Sequence, residues 1–326
     1  MATEAFTVNS KDLKSPTNSV SLITGGGSGI GLQTAILLHQ ICPNNRIAVL
    51  DRSPPASSAP KGLTSSDRFL FLQCDISSWT AQRDAFQKAA DKFGAIDNVF
   101  VNAGIAEFGD QFFNDELDAD GKLAEPDRRV YTVDLNAAND TVKLALHHMR
   151  HRKDGKKGGS IVMTASLAGY LASAGAPLYS AAKHGKQGGH QRWVSIKANN
   201  SAGIVGLMRA LKNDCATLDI AISVVAPGIT LTEIIAGRDE GESLPDWAKR
   251  MRAQGVPIND PSEIAANVVW LFSQGKNGNG KGLLIQAGRT ADLEAGIAKT
   301  RGQWMGKEML DLFRGGRKAP LFPNKL

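Results

Sequence analysis

The 326-residue sequence has no apolar run approaching the roughly 18 residues needed to span a bilayer, so no membrane-crossing helix and no membrane partner are expected. It also lacks an apolar stretch behind a basic one near its start, where MATEAFTVNSKDLKSPTNS gives no sign of a secretory leader. Cysteine is scarce. The three present, Cys42, Cys74 and Cys215, lie far apart, match no metal-ligand spacing and fit a reducing compartment, where buried cysteine acts as a small hydrophobe. No metal is expected, and the cytoplasm is the expected location. Aromatics are few, at 6%, and do not alternate with the basic residues behind the net charge of +6. Lys186, Arg192 and Lys197 supply +3 of that charge, and His151–Lys157 (HRKDGKK) reads as a solvated loop. Without base-stacking aromatics among these charges, a nucleic-acid partner is not expected.

A hydrophobic content of 42% and a charged content of 21% describe an ordinary globular chain. Its length fits a single α/β core. Short β-rich runs at Val20–Thr24, Arg46–Asp51, Phe69–Asp75, Asn98–Asn102, Ser160–Ser166, Ala221–Ala226 and Leu283–Gln286 alternate with helical stretches such as Ile30–Gln40, Thr80–Phe93 and Asp140–His151. That alternation predicts one doubly wound parallel sheet with helices on both faces. Ser53–Pro60 reads as a surface loop, residues 105–130 as a polar, acidic excursion, and the tail from about Arg289 as amphipathic without defined structure. The expected division is an extension at 1–16, one dinucleotide-binding and catalytic domain at 17–290, and a second extension at 291–326.

The first strand runs into Thr24-Gly25-Gly26-Gly27-Ser28-Gly29-Ile30-Gly31, and the helix LQTAILLHQ follows. Glycines between a strand and a helix permit a tight turn, close approach of backbone to a pyrophosphate, and close helix–strand packing, with phosphates at the positive helix end. This is the arrangement of a Rossmann fold. Asp51 ends the next strand, 20 residues after Gly31, where a carboxylate can hold both ribose hydroxyls and would repel the 2′-phosphate of NADP. NAD is therefore expected over NADP. Arg52, immediately after it, can stack on adenine or tolerate a phosphate.

The spacing Thr-Gly-x-x-x-Gly-x-Gly resembles the short-chain dehydrogenase/reductase family, and further landmarks of that family fall in order. Asp75 and Ile76, in Cys74-Asp75-Ile76, resemble the strand end that faces the adenine. Asn102-Ala103-Gly104 is similar to the element that steadies the sheet beside the cofactor. Ser166 stands thirteen residues before Tyr179, and Tyr179-Ser-Ala-Ala-Lys183 matches the family's Tyr-x-x-x-Lys. Pro227, Gly228, Ile229 and Thr232 resemble the segment that meets the nicotinamide amide. The resemblance covers roughly residues 17–290. Within the family, LNAANDTVKLALHHM resembles the 15-hydroxyprostaglandin-dehydrogenase-like branch.

The resemblance implies an acid–base role for Tyr179. A free phenol, with a pKa near 10, is a poor base at neutral pH unless its anion is stabilised. Lys183, four residues on, lies on the same helical face; its ammonium, with the positive charge of oxidised nicotinamide, is expected to favour the phenolate. Lys183 would also hold the nicotinamide ribose, and Ser166 the substrate oxygen.

Two departures from the family pattern stand out. Where the family places an Asn that helps relay the proton, the register of LALHHM puts Asp134, with Asn136 only two residues on. The relay is thereby in question, though the family's residue acts partly through its main-chain carbonyl. The second departure follows the catalytic helix. Deleting Lys186–Gly203 (KQGGHQRWVSIKANNSAG) would join YSAAKHG to IVGLMRALKN as one amphipathic helix. The inserted stretch continues no apolar period, and Gly188 and Gly189 would each cost about 1 kcal/mol inside a helix. These 18 residues read as a translated, unremoved intron, of a length met in filamentous fungi. Gly185-Lys186 can be encoded with a GTAAG donor, Ala198-Asn199 with a GCTAAC branch point and Ala202-Gly203 with a CAG acceptor. The alternative is a genuine surface insertion.

The expected function is interconversion of a secondary alcohol and a ketone by a NAD-dependent enzyme, on a small lipophilic substrate of the terpenoid, polyketide or fatty kind met in secondary metabolism. Residues 104–130, Ala168–Leu178 and Ile229–Arg252 are the expected substrate region, with Phe108, Phe112, Phe113, Leu171, Leu178, Ile234, Ile235 and Trp247 as its apolar members. The alternatives are an NADPH-dependent carbonyl reductase, or a nucleotide-binding protein whose catalysis the insertion impairs. The family implies a homodimer or homotetramer, which an insertion beside the catalytic helix threatens.

Overall fold

Strands with apolar side chains on both faces belong in the interior of a layered fold, and the sequence supplies several. VSLIT (β1, Val20–Thr24) is buried at every position, and so is IAISVVAP (β6, Ile220–Pro227). In the computed structural model, which describes residues 3–13, 18–152, 154–184, 203–235 and 241–316, these strands form the middle of an eight-stranded sheet. The others are β2 (Arg46–Asp51), β3 (Phe69–Gln73), β4 (Asn98–Val101), β5 (Gly159–Thr164), β7 (Gly282–Gln286) and β8 (Arg289–Asp292). Their order is β3-β2-β1-β4-β5-β6-β7-β8, parallel throughout except for the last pair.

Alternation along each strand sends side chains to two separate cores. Leu22, Leu50, Val99, Ile161 and Val224 face the helices Trp79–Phe93, Ala138–Arg150 and Ile204–Thr217, meeting Phe86, Val142 and Met208. Ile23, Val49, Phe100, Val162 and Val225 face the helices Gly29–Ile41 and Pro261–Ser273, meeting Leu38, Val268 and Val269. Each fully buried Leu or Ile contributes about 1.5–3 kcal/mol, so the sheet face governs the fold. Local signals end the helices: the Ser78 hydroxyl caps Trp79–Phe93, Gly94 closes it at φ 86°, and Asp260 with Glu263 forms a capping box ahead of Pro261.

The structure corrects the expected elements at their ends. β3 stops at Gln73 and β4 at Val101, because Asp75 turns back on Ser77 and Asn102 leaves the ladder to bond β1. β5 stops at Thr164, so Ser166 lies in the following turn. A run of π-helix, Thr132–Ala137, leads into the helix Ala138–Arg150.

Beyond residue 288, where no structure was expected, β8 pairs antiparallel with β7 through a two-residue turn. Ala287 (φ 47°) and Gly288 (φ 74°) form it, both left-handed. Phe6 then adds a bridge to Thr290 and stacks on Trp270, so the first residues lie against the sheet's edge. Among the described residues no helix is long and apolar enough to cross a membrane.

Candidate active site

The strand order reverses direction between β1 and β4, the position at which doubly wound sheets hold their ligands in a crevice beyond the carboxyl ends of the parallel strands. The glycine turn occupies one wall. Gly25 adopts φ 64°, and a Cβ there would stand 2.7 Å from the Cα of Ala103. At Gly31 a Cβ would overlap the Gly25 carbonyl oxygen. Thr24 fastens the turn below: its Oγ1 accepts from Asn102 N at 3.0 Å and Ala103 N at 3.2 Å. Asn102 Nδ2 donates to the carbonyls of Thr24 and Gly25, while its Oδ1 accepts from Thr164 Oγ1 at 3.2 Å, which stitches β1, β4 and β5 together.

The helix that leaves this turn begins without a cap. Ser28 makes no side-chain bond to the first turn, and no acid stands there to satisfy its N–H groups. An uncapped, acid-free helix start behind a close backbone turn suits a pyrophosphate. Asp51 lies beside it, its Oδ2 accepting from Gly27 N at 2.9 Å and its Oδ1 from Ser53 N at 3.2 Å. Arg52 is exposed next to it. Ile76 is buried, whereas Asp75 is exposed, its carboxyl held below the usual range by the hydroxyl and amide of Ser77. Across the crevice, Pro227 ends β6, Gly228 N donates to Ile285 O, Ile229 is exposed, and Thr232 reaches within 3.2 Å of where a Cβ on Gly29 would be. The residues present thus fit a dinucleotide.

The other wall carries the Tyr-x-x-x-Lys pair. Tyr179 and Lys183 lie one turn apart on the helix Pro177–His184, with the Lys183 ammonium 5.4 Å from the centre of the Tyr179 ring. That ammonium is buried. It donates to Thr164 O at 3.1 Å, two residues before Ser166, and pairs with Asp134 Oδ2 at 3.0 Å. Burial pulls the Lys183 amine down, but the Asp134 and Tyr179 charges more than offset this and hold it above its ordinary range, so it stays charged. Of the two residues weighed for the relay position, Asp134 is the one brought to Lys183. Asn136 lies half-buried on the same π-helical run. The Ser166 hydroxyl accepts from Ala168 N at 3.1 Å at the start of the Ala168–Leu171 turn.

Two further residues hold the site and carried no sequence signal. Glu107 Oε2 accepts from Tyr179 N at 2.8 Å, which anchors the first turn of the helix Pro177–His184. Asn259, fully buried, donates to Ile285 O at 3.0 Å while its backbone pairs with the segment after Gly228. Of the apolar residues expected to line the substrate region, Leu178 and Trp247 belong to packed clusters instead, Leu178 with Val130, Leu135 and Ala182, Trp247 with Ala248 and Ile258. Phe108, Phe112, Phe113, Leu171 and Ile234 are exposed, and Ile235 is half-buried. Residues 236–240 of that region, and 186–202 of the proposed insertion together with Gly185 before it, lie outside the described residues.

Comparison with known proteins agrees with this geometry. Residues 19–194 match the short chain dehydrogenase family model. A short-chain dehydrogenase/reductase of Penicillium rubens, prx4, is 30% identical over 94% of this chain and 86% of its own. The crystal structure of levodione reductase superposes with a TM-score of 0.63 at 26% identity, covering 86% of this chain and 98% of that one. Two more distant structures share the fold. One is a 3-ketoacyl-(acyl-carrier-protein) reductase from Brucella melitensis complexed with NADH (TM-score 0.62, 19% identity, covering 83% and 97%). The other is a short chain dehydrogenase from Burkholderia cenocepacia in complex with NADP (TM-score 0.62, 24% identity, covering 84% and 98%). With the glycine turn, the Tyr179–Lys183 pair and a family match across more than half its length, the chain belongs to the short-chain dehydrogenase/reductase family of oxidoreductases.

Proposed function

We propose that this chain is a NAD-preferring oxidoreductase that interconverts a secondary alcohol and a ketone on a small lipophilic molecule, with Tyr179 as the acid/base. The observation that carries the proposal is the buried Lys183 ammonium beside Tyr179, on the wall opposite an uncapped glycine turn. When bound, the dinucleotide supplies or accepts the hydride. Tyr179 takes the alcohol's proton at its phenolic oxygen in one direction and returns it in the other. Lys183 stabilises the phenolate and has one donor left for a ribose hydroxyl, since Asp134 and Thr164 occupy the others. Ser166 orients the substrate oxygen. Acid–base assistance of this kind is worth about 10²–10⁴ in rate.

The preference for NAD rests on Asp51, whose carboxylate sits at the glycine turn and would meet a ribose 2′-phosphate with like charge. The exposed Phe108, Phe112 and Phe113 support a lipophilic substrate, and kinship with a Penicillium short-chain dehydrogenase/reductase supports the oxidoreductase chemistry; a place in secondary metabolism belongs to the same reading. A homodimer or homotetramer is part of the same reading.

The test is a pair of titrations with NADH and NADPH, followed by energy transfer from tryptophan. NADH should bind more tightly, and Asp51→Ala should narrow the difference by about tenfold or more, the weight of one charge-assisted contact. Equal affinity for the two in the unaltered chain would overturn the preference.

A further inference from the structure

A helix that stands in water gains nothing from an apolar side unless something outside the chain covers it. The helix Lys307–Gly316 is such an element. Every residue from Lys307 to Gly315 is exposed except Leu310, and none belongs to either core. With about 3.6 residues to the turn, Met309, Leu310, Leu312 and Phe313 fall on one side and Lys307, Glu308, Asp311 and Arg314 on the other. Leu310 turns back on the preceding helix Arg301–Met305, where a Cβ on Gly302 would stand 3.5 Å from its Cδ2. Met309 and Leu312 are left 56% and 62% exposed, and Trp304 on the preceding helix 62%. Phe313 is 39% exposed, with the Arg301 guanidinium over its ring. On the charged side, Arg314 pairs with Asp311 of the same helix at 3.5 Å.

Charge narrows what can cover this face. From Arg301 to Leu326 the sequence carries Arg301, Lys307, Arg314, Arg317, Lys318 and Lys325 against Glu308 and Asp311 alone, which is +4 of the net +6. Two copies of such a segment repel each other, so a second copy of the chain makes a poor cover. A surface bearing diffuse negative charge attracts it. Basic residues beside a narrow apolar side, with a tryptophan close by, are the composition of a helix that lies in the plane of a bilayer interface. The exposed apolar residues of the acidic excursion have the opposite character. Phe112, Phe113 and Leu117 are interleaved in sequence with Asp110, Asp115 and Glu116, which an anionic surface repels. The lack of a membrane-spanning run excludes crossing a bilayer; it does not exclude lying on one.

We propose that the helix Lys307–Gly316 and Trp304 form a docking face for anionic lipid membranes, with Met309, Leu312 and Phe313 entering the interface and the basic residues meeting the headgroups. Docking is reversible, because so short an apolar face anchors weakly and depends on the charge beside it. A lipophilic substrate concentrates in the same bilayer, so docking would bring the chain to it. That consequence rests on the proposed function; the docking itself does not.

The experiment is co-sedimentation of the full chain with vesicles of phosphatidylcholine alone, and of phosphatidylcholine with phosphatidylserine at about one third. The chain should sediment with the anionic vesicles several-fold more than with the neutral ones, and added salt should release it. Leu312→Glu should lower the partition by about tenfold or more, and Arg314→Gln by about fivefold, the weight of one basic residue at such a surface. Both side chains are exposed, so thermal melting and NADH binding should match the parent and show that the variants fold. Equal sedimentation with the two kinds of vesicle, or a folded Leu312→Glu that binds like the parent, would overturn the proposal. So would a parent that ignores vesicles but loses subunits in Leu312→Glu by sedimentation velocity, which would give the face to a second copy. A chain that docks as expected yet turns over no ketone would leave this proposal standing and sink the proposed function instead.

Discussion

The side chains that matter most here are those with no room to vary. At Gly31 an added Cβ would meet the Gly25 carbonyl, a backbone atom that cannot rotate away. Gly31→Ala should therefore cost about 1–3 kcal/mol or more, in the manner of overpacked sites, and should abolish tight NADH binding. A thermal melt with and without NADH checks both; a variant that melts and binds like the parent would refute the close approach assigned to this turn. Such residues were legible in the sequence because their spacing is local. Gly25 to Gly31 form one turn, and Tyr179 and Lys183 share one helical face. Glu107 and Asn259 were not legible, since their partners, Tyr179 N and Ile285 O, lie 72 and 26 residues away in the chain and leave no period to read. Asp134 was legible as a departure from the family pattern, but its ion pair was not.

At the scale of elements, sequence reading succeeded where burial on both faces imposes an unbroken apolar run. β1 and β2 were read to the residue, and β6 to within one residue at each end, for that reason. β8 escaped because RTAD carries no alternation, and because Ala287 stands where an Asn or Gly would have announced the turn. The π-helical run likewise has no pattern of its own, since its residues continue the apolar face of the helix behind it. The helix Pro177–His184, which carries Tyr179 and Lys183, raises a further prediction. Its last residue, His184, accepts a hydrogen bond from Gly203 N at 2.7 Å, and the helix Ile204–Thr217 begins at the next residue. The two ends of the interruption thus meet in space. A chain lacking Lys186–Gly203 should fold and bind NADH at least as tightly as the full one, as measured by the same fluorescence titration. Weaker binding by the shortened chain would mean that the segment belongs to the fold.

For the whole molecule, pH acts through histidines far from the site. Arg68 Nη2 lies 2.8 Å from His39 Nε2; a guanidinium only donates, so His39 must accept and stay neutral. Burial first and then Arg68 hold His39 below its ordinary 6.5. His148 is also held low, by burial and by His147 beside it on the helix Ala138–Arg150. A folded-state value below the unfolded one means that this stability is fully present above about pH 6.5 and drains away as pH falls through the folded values. Denaturant midpoints taken from pH 7.5 down to 5 should decline across this window, and His39→Gln should flatten the slope. Carboxylates held low, such as Asp75 and Asp154 (about 2, through its bond to Arg152), lose their contribution only below about pH 4, so the two effects are separable.

The measurement that bears most directly on the whole account is NADH consumption, followed by its absorbance band, for the chain and for Tyr179→Phe with a panel of lipophilic ketones. Both proteins should bind NADH alike. The parent chain should reduce at least one ketone, and the variant should do so more slowly by about 10²–10⁴. Turnover of equal speed in the two would contradict the assignment of Tyr179. Tight NADH binding by the parent without turnover of any ketone would contradict the account of this chain as a working oxidoreductase.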